Sequence, residues 1–126
     1  MNPSLQAEPY WLGIDLGGSR IKSVAVTASG SPLETHSIPF EDREMQWADR
    51  IRDLVSGLVA RRGWPTGLGL SAPGLAAQDG RCIAHMPGRL IGLEGLDWRN
   101  HLSSPIPVTV LNDAHAALLG EAWIGA

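Results

Sequence analysis

The sequence predicts an α/β domain, a mixed sheet of five strands with helices on both faces. Three observations carry this. Short β-branched runs alternate with turns rich in Gly, Pro and Ser. One long amphipathic helix separates the first three runs from the rest. The final apolar run opens into an Ala- and Leu-rich segment. The resulting order, β-β-β-α-β-(β)-α-β-α, describes a sheet that is partly a meander and partly wound through crossovers.

Residues 1–9 are expected to be a loose leader, and residues 10–126 a single domain. The run 10–15 is apolar and ends in Asp-Leu-Gly-Gly, a strand entering a turn. Residues 21–28 alternate in side-chain character and form a second strand. Ser29-Gly30-Ser31-Pro32 is a turn, and 33–40 is a third strand. Tight turns between three strands make an antiparallel meander.

A helix is predicted over 44–62. Trp47, Ile51, Leu54, Val55, Leu58 and Val59 fall on one face at a period of 3.6 residues. Glu41, Asp42 and Glu44 lie near its start, and Arg61 and Arg62 near its end, as the helix dipole favours. Gly63 suits a left-handed cap. The next strand, 66–71, follows a helical crossover and is expected to run parallel to the first. A short strand over 81–85, a Gly-rich loop over 86–95, a short helix over 97–102 and a buried strand over 107–111 follow. The segment 113–123 reads as a last helix, capped by Asn112 or Asp113.

Composition excludes several functions. The 126 residues carry a net charge of −3, so no basic face for nucleic acid is expected. No apolar run reaches the ~20 residues of a membrane span, and the start lacks the features of a secretory signal. One Cys, Cys82, rules out an internal disulfide and a Cys-rich zinc site. A cytoplasmic setting is expected. His36, His85, His101 and His115 lack metal-ligand spacing. Ser71 has no His and Asp pattern around it, so a hydrolase triad has little support.

Three segments can carry chemistry. Asp15-Leu16-Gly17-Gly18-Ser19-Arg20-Ile21-Lys22 joins a strand-ending carboxylate to a Gly-Gly turn. Glycines let backbone N–H groups approach an anion, and the Asp offers a Mg²⁺ contact, directly or through water. The same dipeptide also serves as a plain hairpin turn. Asn112-Asp113 ends a buried strand, where α/β sheets place ligands, and equally suits a helix cap. Ser71-Ala72-Pro73-Gly74 is either a routine turn or a backbone wall against a ligand. His85 lies beside the Gly-rich loop and could touch a polar ligand. Lys22 is the single lysine, and codon bias toward Arg accounts for most of that scarcity.

In order along the chain, these segments resemble the N-terminal half of a ROK-family sugar kinase, within the actin-like ATPase superfamily and its ribonuclease H-like fold. Residues 13–22 look like the family's Asp-x-Gly-Gly-Thr-x-x-Lys phosphate-binding segment, with Ser19 in the Thr position. Residues 67–74 resemble its Gly-x-x-x-Pro-Gly stretch beside the sugar. Residues 108–114, with Ala117, Gly120, Glu121, Gly125 and Ala126, resemble its catalytic segment. The likeness covers nearly all of the chain from Tyr10.

The resemblance implies that Asp113 is the general base acting on a sugar hydroxyl. It implies that Asn112 and the Gly74 region orient the sugar; His85, from its place at the loop, is a further candidate for sugar contact. It places Asp15, Gly17, Gly18, Ser19 and Lys22 at the ATP phosphates, with Mg²⁺ at Asp15. One departure is Met86-Pro87-Gly88-Arg89-Leu90, where many members have Pro-Asn-Leu. The family's second lobe, with its Glu-x-Gly-His, zinc and adenosine-binding motifs, lies outside this sequence. The isolated chain is therefore expected to be inactive. Apolar Leu118, Leu119, Trp123 and Ile124 could be uncovered, so a homodimer is expected. A sugar-sensing regulator of the same family and a non-catalytic binding module are the alternatives. Residues 1–9 are too few for the regulators' DNA-binding helices.

Overall fold

The computed structural model describes residues 8–112. The first three strands are β1 (Trp11–Leu16), β2 (Arg20–Val26) and β3 (Pro32–Pro39), followed by helix α1 (Gln46–Arg62). Then come β4 (Gly67–Ala72), β5 (Leu75–Ala76), β6 (Ile83–His85), α2 (Trp98–His101) and β7 (Val108–Asn112). Five strands form one sheet in the order β3-β2-β1-β4-β7, and β5 and β6 form a separate two-stranded sheet.

The expected meander is present: β2 pairs antiparallel with both β1 and β3. β4 runs parallel to β1, as the helical crossover requires, and β7 runs parallel to β4. β3 is an edge strand bounded by Pro32 and Pro39, positions where a missing N–H costs no ladder bond.

Alternation along the strands sorts side chains onto two faces. Leu12, Ile14 and Leu16 of β1 stand in register with Ala25, Ser23 and Ile21 of β2. Leu68 and Leu70 of β4 continue those rows, and so do Val108 and Val110 of β7. All of these are buried, in one core with Trp47, Ile51, Val55 and Leu58 of α1. α2 packs on α1: the Trp47 and Trp98 rings lie 6.1 Å apart, and His101 Nε2 is 2.8 Å from Ala48 O. Both described helices thus cover the same face. The helix expected over 113–123 lies outside the described residues.

The ends of α1 differ from expectation. Glu44 and Met45 have φ of 54° and 55°, so the helix starts at Gln46 rather than at 44. Asp42 does not face the helix dipole alone; it accepts the Leu90 N–H at 3.1 Å. Gly63 has φ 79° and ψ 178°, a glycine conformation but not the left-handed cap, and its N–H bonds Val59 O at 2.7 Å. Arg61 and Arg62 both reach Glu34 on β3. Together with His36 they hold the Glu34 carboxyl at about 2, below its ordinary value. The short helix over 97–102 is seen as α2, with Asp97 accepting the Asn100 N–H at 3.1 Å.

Candidate functional site

The second face of the sheet is built differently. Ser37, Lys22, Asp15, Ser71 and Leu111 form one row across all five strands. Thr35, Val24, Gly13, Gly69 and Thr109 form the next. These rows line an open cleft of about 970 Å³. Gly13 and Gly69 keep its floor low, because neither carries a side chain.

The parallel strands β1, β4 and β7 end side by side. Their carboxyl ends bring together segments that are far apart in sequence. Asp15 Oδ1 accepts a hydrogen bond from Ser71 Oγ at 3.0 Å. Asn112 Nδ2 donates to Gly74 O at 2.7 Å. Lys22 stands opposite Asp15 on the antiparallel neighbour. Five of the expected residues, Asp15, Lys22, Gly17, Gly74 and Asn112, therefore gather around one end of the sheet.

The Gly17–Arg20 turn is tight: Gly17 N–H donates to Arg20 O at 3.0 Å, and Phe40 N–H donates to Ser19 O at 3.0 Å. The Gly17 amide is thus spent inside the turn and does not join an anion nest. The amides of Gly18 and Ser19 carry no hydrogen bond among the described residues. Neither Gly17 nor Gly18 has a positive φ. A Cβ on Gly17 would press on Arg20 O at 3.1 Å, whereas one on Gly18 would meet only Arg89, at 3.6 Å. Gly18 is therefore not demanded by its backbone. Its lack of a side chain leaves the turn open to an incoming group.

Gly74 is demanded. Its φ is 97°, and a Cβ there would lie 2.5 Å from His85 O. This close approach follows from the pairing of Leu75 with His85. The His85 backbone thus lies against Gly74, while the residue itself is exposed. Asp113 lies outside the described residues, as do Leu118, Leu119, Trp123 and Ile124. Among the described residues no group of three or more His, Cys, Asp or Glu could hold a metal ion. The Asp15 carboxylate is a hard oxygen donor of the kind that contacts Mg²⁺ directly or through water.

Two contacts at this end of the sheet were not read from the sequence. The sequence reads Ser71 as part of a turn or a backbone wall and gives a nucleophile little support, whereas in the structure its hydroxyl bonds Asp15. Its place at the end of a strand parallel to β1 was the available signal. Arg89 was noted only as part of a departure from the family pattern. Its Nη2 donates to Gly18 O at 2.9 Å, a contact across 71 residues of chain.

This sheet order, with only β2 antiparallel among the five, is the ribonuclease H-like arrangement of the actin-like ATPases. A family model described as the ROK family matches residues 11–126. The chain belongs to the ROK family. It is 30% identical to a glucokinase from Halalkalibacterium halodurans, over 95% of this chain and 38% of the relative. A crystal structure of a ROK family glucokinase from Streptomyces griseus, in complex with glucose and AMPPNP, superposes with a TM-score of 0.76. That pair is 25% identical, over 93% of this chain and 37% of the other. A ROK family transcriptional regulator shares the fold at a TM-score of 0.73 and 19% identity, over 89% of this chain and 30% of the other. The chain thus spans little more than a third of the length of the glucokinases it matches.

Proposed function

We propose that this chain is the N-terminal lobe of an ATP-dependent sugar kinase, cytoplasmic, that phosphorylates a hydroxyl of a hexose or N-acylhexosamine. The observation that carries the reading is the meeting of three motif segments at the carboxyl end of the parallel strands, through the bonds Ser71–Asp15 and Asn112–Gly74. Likeness to glucokinases supports the substrate class.

In this reading the Gly18 and Ser19 amides, the Ser19 hydroxyl and Lys22 receive the phosphates. Ser71 fixes the Asp15 carboxylate so that it faces the same place. Mg²⁺, held by Asp15 through water, would neutralise charge on the transferring group. Asn112, Gly74 and His85 border the sugar. Asp113, the residue after Asn112, takes the proton from the attacking hydroxyl. Phosphoryl transfer needs placement and charge neutralisation more than covalent participation, which these residues can supply. A second lobe must close the site, so the chain by itself is inactive.

The test is to join this chain to the C-terminal lobe of a ROK glucokinase and assay glucose phosphorylation with ATP. Turnover should appear in the joined protein and fall at least about 100-fold on Asp113→Asn, the scale of losing a proton acceptor. Equal turnover in that variant would remove the general base. Rates of about 1–10³ s⁻¹ from the chain alone, ordinary for enzymes, would contradict the missing-lobe reading. Sugar binding without turnover in the joined protein would favour a sensing role.

A further inference from the structure

Arg89 sits in a loop that is anchored on both sides. The next residue, Leu90, is 1% exposed in the core, and its N–H donates to Asp42 Oδ2 at 3.1 Å. Leu93 is also buried, and its N–H bonds Leu90 O at 3.0 Å. Gly95 N–H bonds Ile83 O at 2.9 Å. The backbone of Arg89 therefore has a fixed origin, and its side chain reaches from there to the Gly-Gly turn.

At the turn the guanidinium spends one donor, Nη2–H, on Gly18 O. Nη1 also lies close, 3.9 Å from where a Gly18 Cβ would be. The residue is exposed, and among the described residues no carboxylate lies within ion-pair distance of it. Arg61 and Arg62 share the Glu34 carboxylate, Arg52 pairs with Asp49 and Arg43 with Glu41. Arg20 and Arg99, like Arg89, bond only neutral oxygens, but neither of them reaches the Gly-Gly turn through its side chain. The guanidinium carries five N–H donors in a rigid fork, and a single carbonyl leaves most of them unused. The same turn presents the unbonded amides of Gly18 and Ser19 and has no side chain at Gly18 to block approach. An unpaired cation with spare donors, held beside free amides, is a recognition element for a phosphate oxyanion.

We infer that Arg89 is a phosphate-binding residue of this site, donating to the phosphate chain of the phosphoryl donor while Gly18 O holds it in place. The inference rests on the donor site proposed above. It also links the two halves of that site, because one anchored segment carries both His85, beside Gly74, and Arg89, on the phosphate turn. The simple alternative is a latch in which the Gly18 contact only ties down the loop.

The experiment is a titration of the 126-residue chain with Mg·ATP and, separately, with magnesium tripolyphosphate. It is followed by the amide resonances of Gly17, Gly18 and Ser19 and by calorimetry. Arg89→Ala, Arg89→Lys and Arg89→Gln are compared after their spectra show an intact fold. Arg89→Ala should weaken both ligands about tenfold, the usual scale for a hydrogen bond to a charged group. Arg89→Lys, which keeps the charge, should recover part of that loss. Arg89→Gln, which keeps a donor for Gly18 O but no charge, should not. Full recovery by Gln, or unchanged binding in all three variants, would establish the latch and overturn the inference. A loss confined to ATP would put Arg89 on the nucleoside and overturn it too. If neither ligand moves the Gly17–Ser19 resonances, in this chain or in the joined kinase, the donor site itself fails. If they move but ignore Arg89, only this inference fails.

Discussion

The two faces of the central sheet share the same strands and differ in nearly every other respect. Toward α1, every inward position from Leu12 to Val110 is apolar or small, and the largest side chains, Trp47 and Trp98, are fully buried. Toward the cleft, the same strands present Asp15, Lys22, Ser71 and two glycines. One residue along a strand moves a side chain from one world to the other. Ile14 and Asp15 are neighbours in sequence, yet one holds the fold and the other faces the site. The first face can therefore be judged by stability and the second by binding, and substitutions should separate the two.

The largest effect is expected at the packed face. Trp47→Ala removes a 0% exposed indole that packs on Trp98. It should cost about 3–5 kcal/mol, measured by urea unfolding. A cost below about 1 kcal/mol would mean that α1 is not the lid of this core. On the open face the prediction reverses. Asp15→Asn in the joined kinase should cut kcat by about 10²–10³, as removal of a charge-stabilising group does, while shifting the unfolding midpoint little. A large loss of stability with unchanged turnover would erase the contrast between the faces.

Gly74 lies at the rim, where both demands meet. Gly74→Ala forces a side chain into φ 97° and against His85 O, so about 2–3 kcal/mol of stability should be lost. Sugar affinity should fall with it, since Asn112 donates to the Gly74 carbonyl. The smallest effect is expected at the edge strand. Glu34 has a depressed carboxyl, at about 2, because Arg61, His36 and Arg62 hydrogen-bond its charged form. A lowered folded value stabilises above the unfolded carboxylate range and is lost as pH falls toward 2. Glu34→Gln should therefore cost about 1 kcal/mol at pH 7, kept modest by solvent screening. The gap between variant and parent should close near pH 2. A gap that persists there would assign the effect to packing.

Much of the frame was legible from the sequence. Trp47 to Val59 announce α1 by period, and 21–28 announces β2 by alternation. These are local signals, repeated within a few residues, whereas the cap role of Asp97 emerged only with the Asn100 N–H bond in the structure. The site was legible as a set of segments and not as a geometry. The Asp15–Ser71 bond spans 56 residues, Asn112–Gly74 spans 38, and Arg89–Gly18 spans 71. None has a local signature. β5 was missed for a related reason: two residues have no period, and Leu75–Ala76 is a strand only because β6 pairs with it. The helix start was displaced by Glu44 and Met45, whose left-handed backbone no propensity announces.

By itself the sequence determined which residues alternate, which helix face is apolar, and where glycine and proline interrupt. Those properties follow from side-chain chemistry within a turn or two of chain. Only the tertiary structure decided that β1, β4 and β7 end together, that Ser71 supports Asp15, and that Arg89 reaches Gly18. Strand order and loop anchoring bring distant segments within hydrogen-bond range, and a bond between residues dozens of positions apart exists only once the sheet has been assembled.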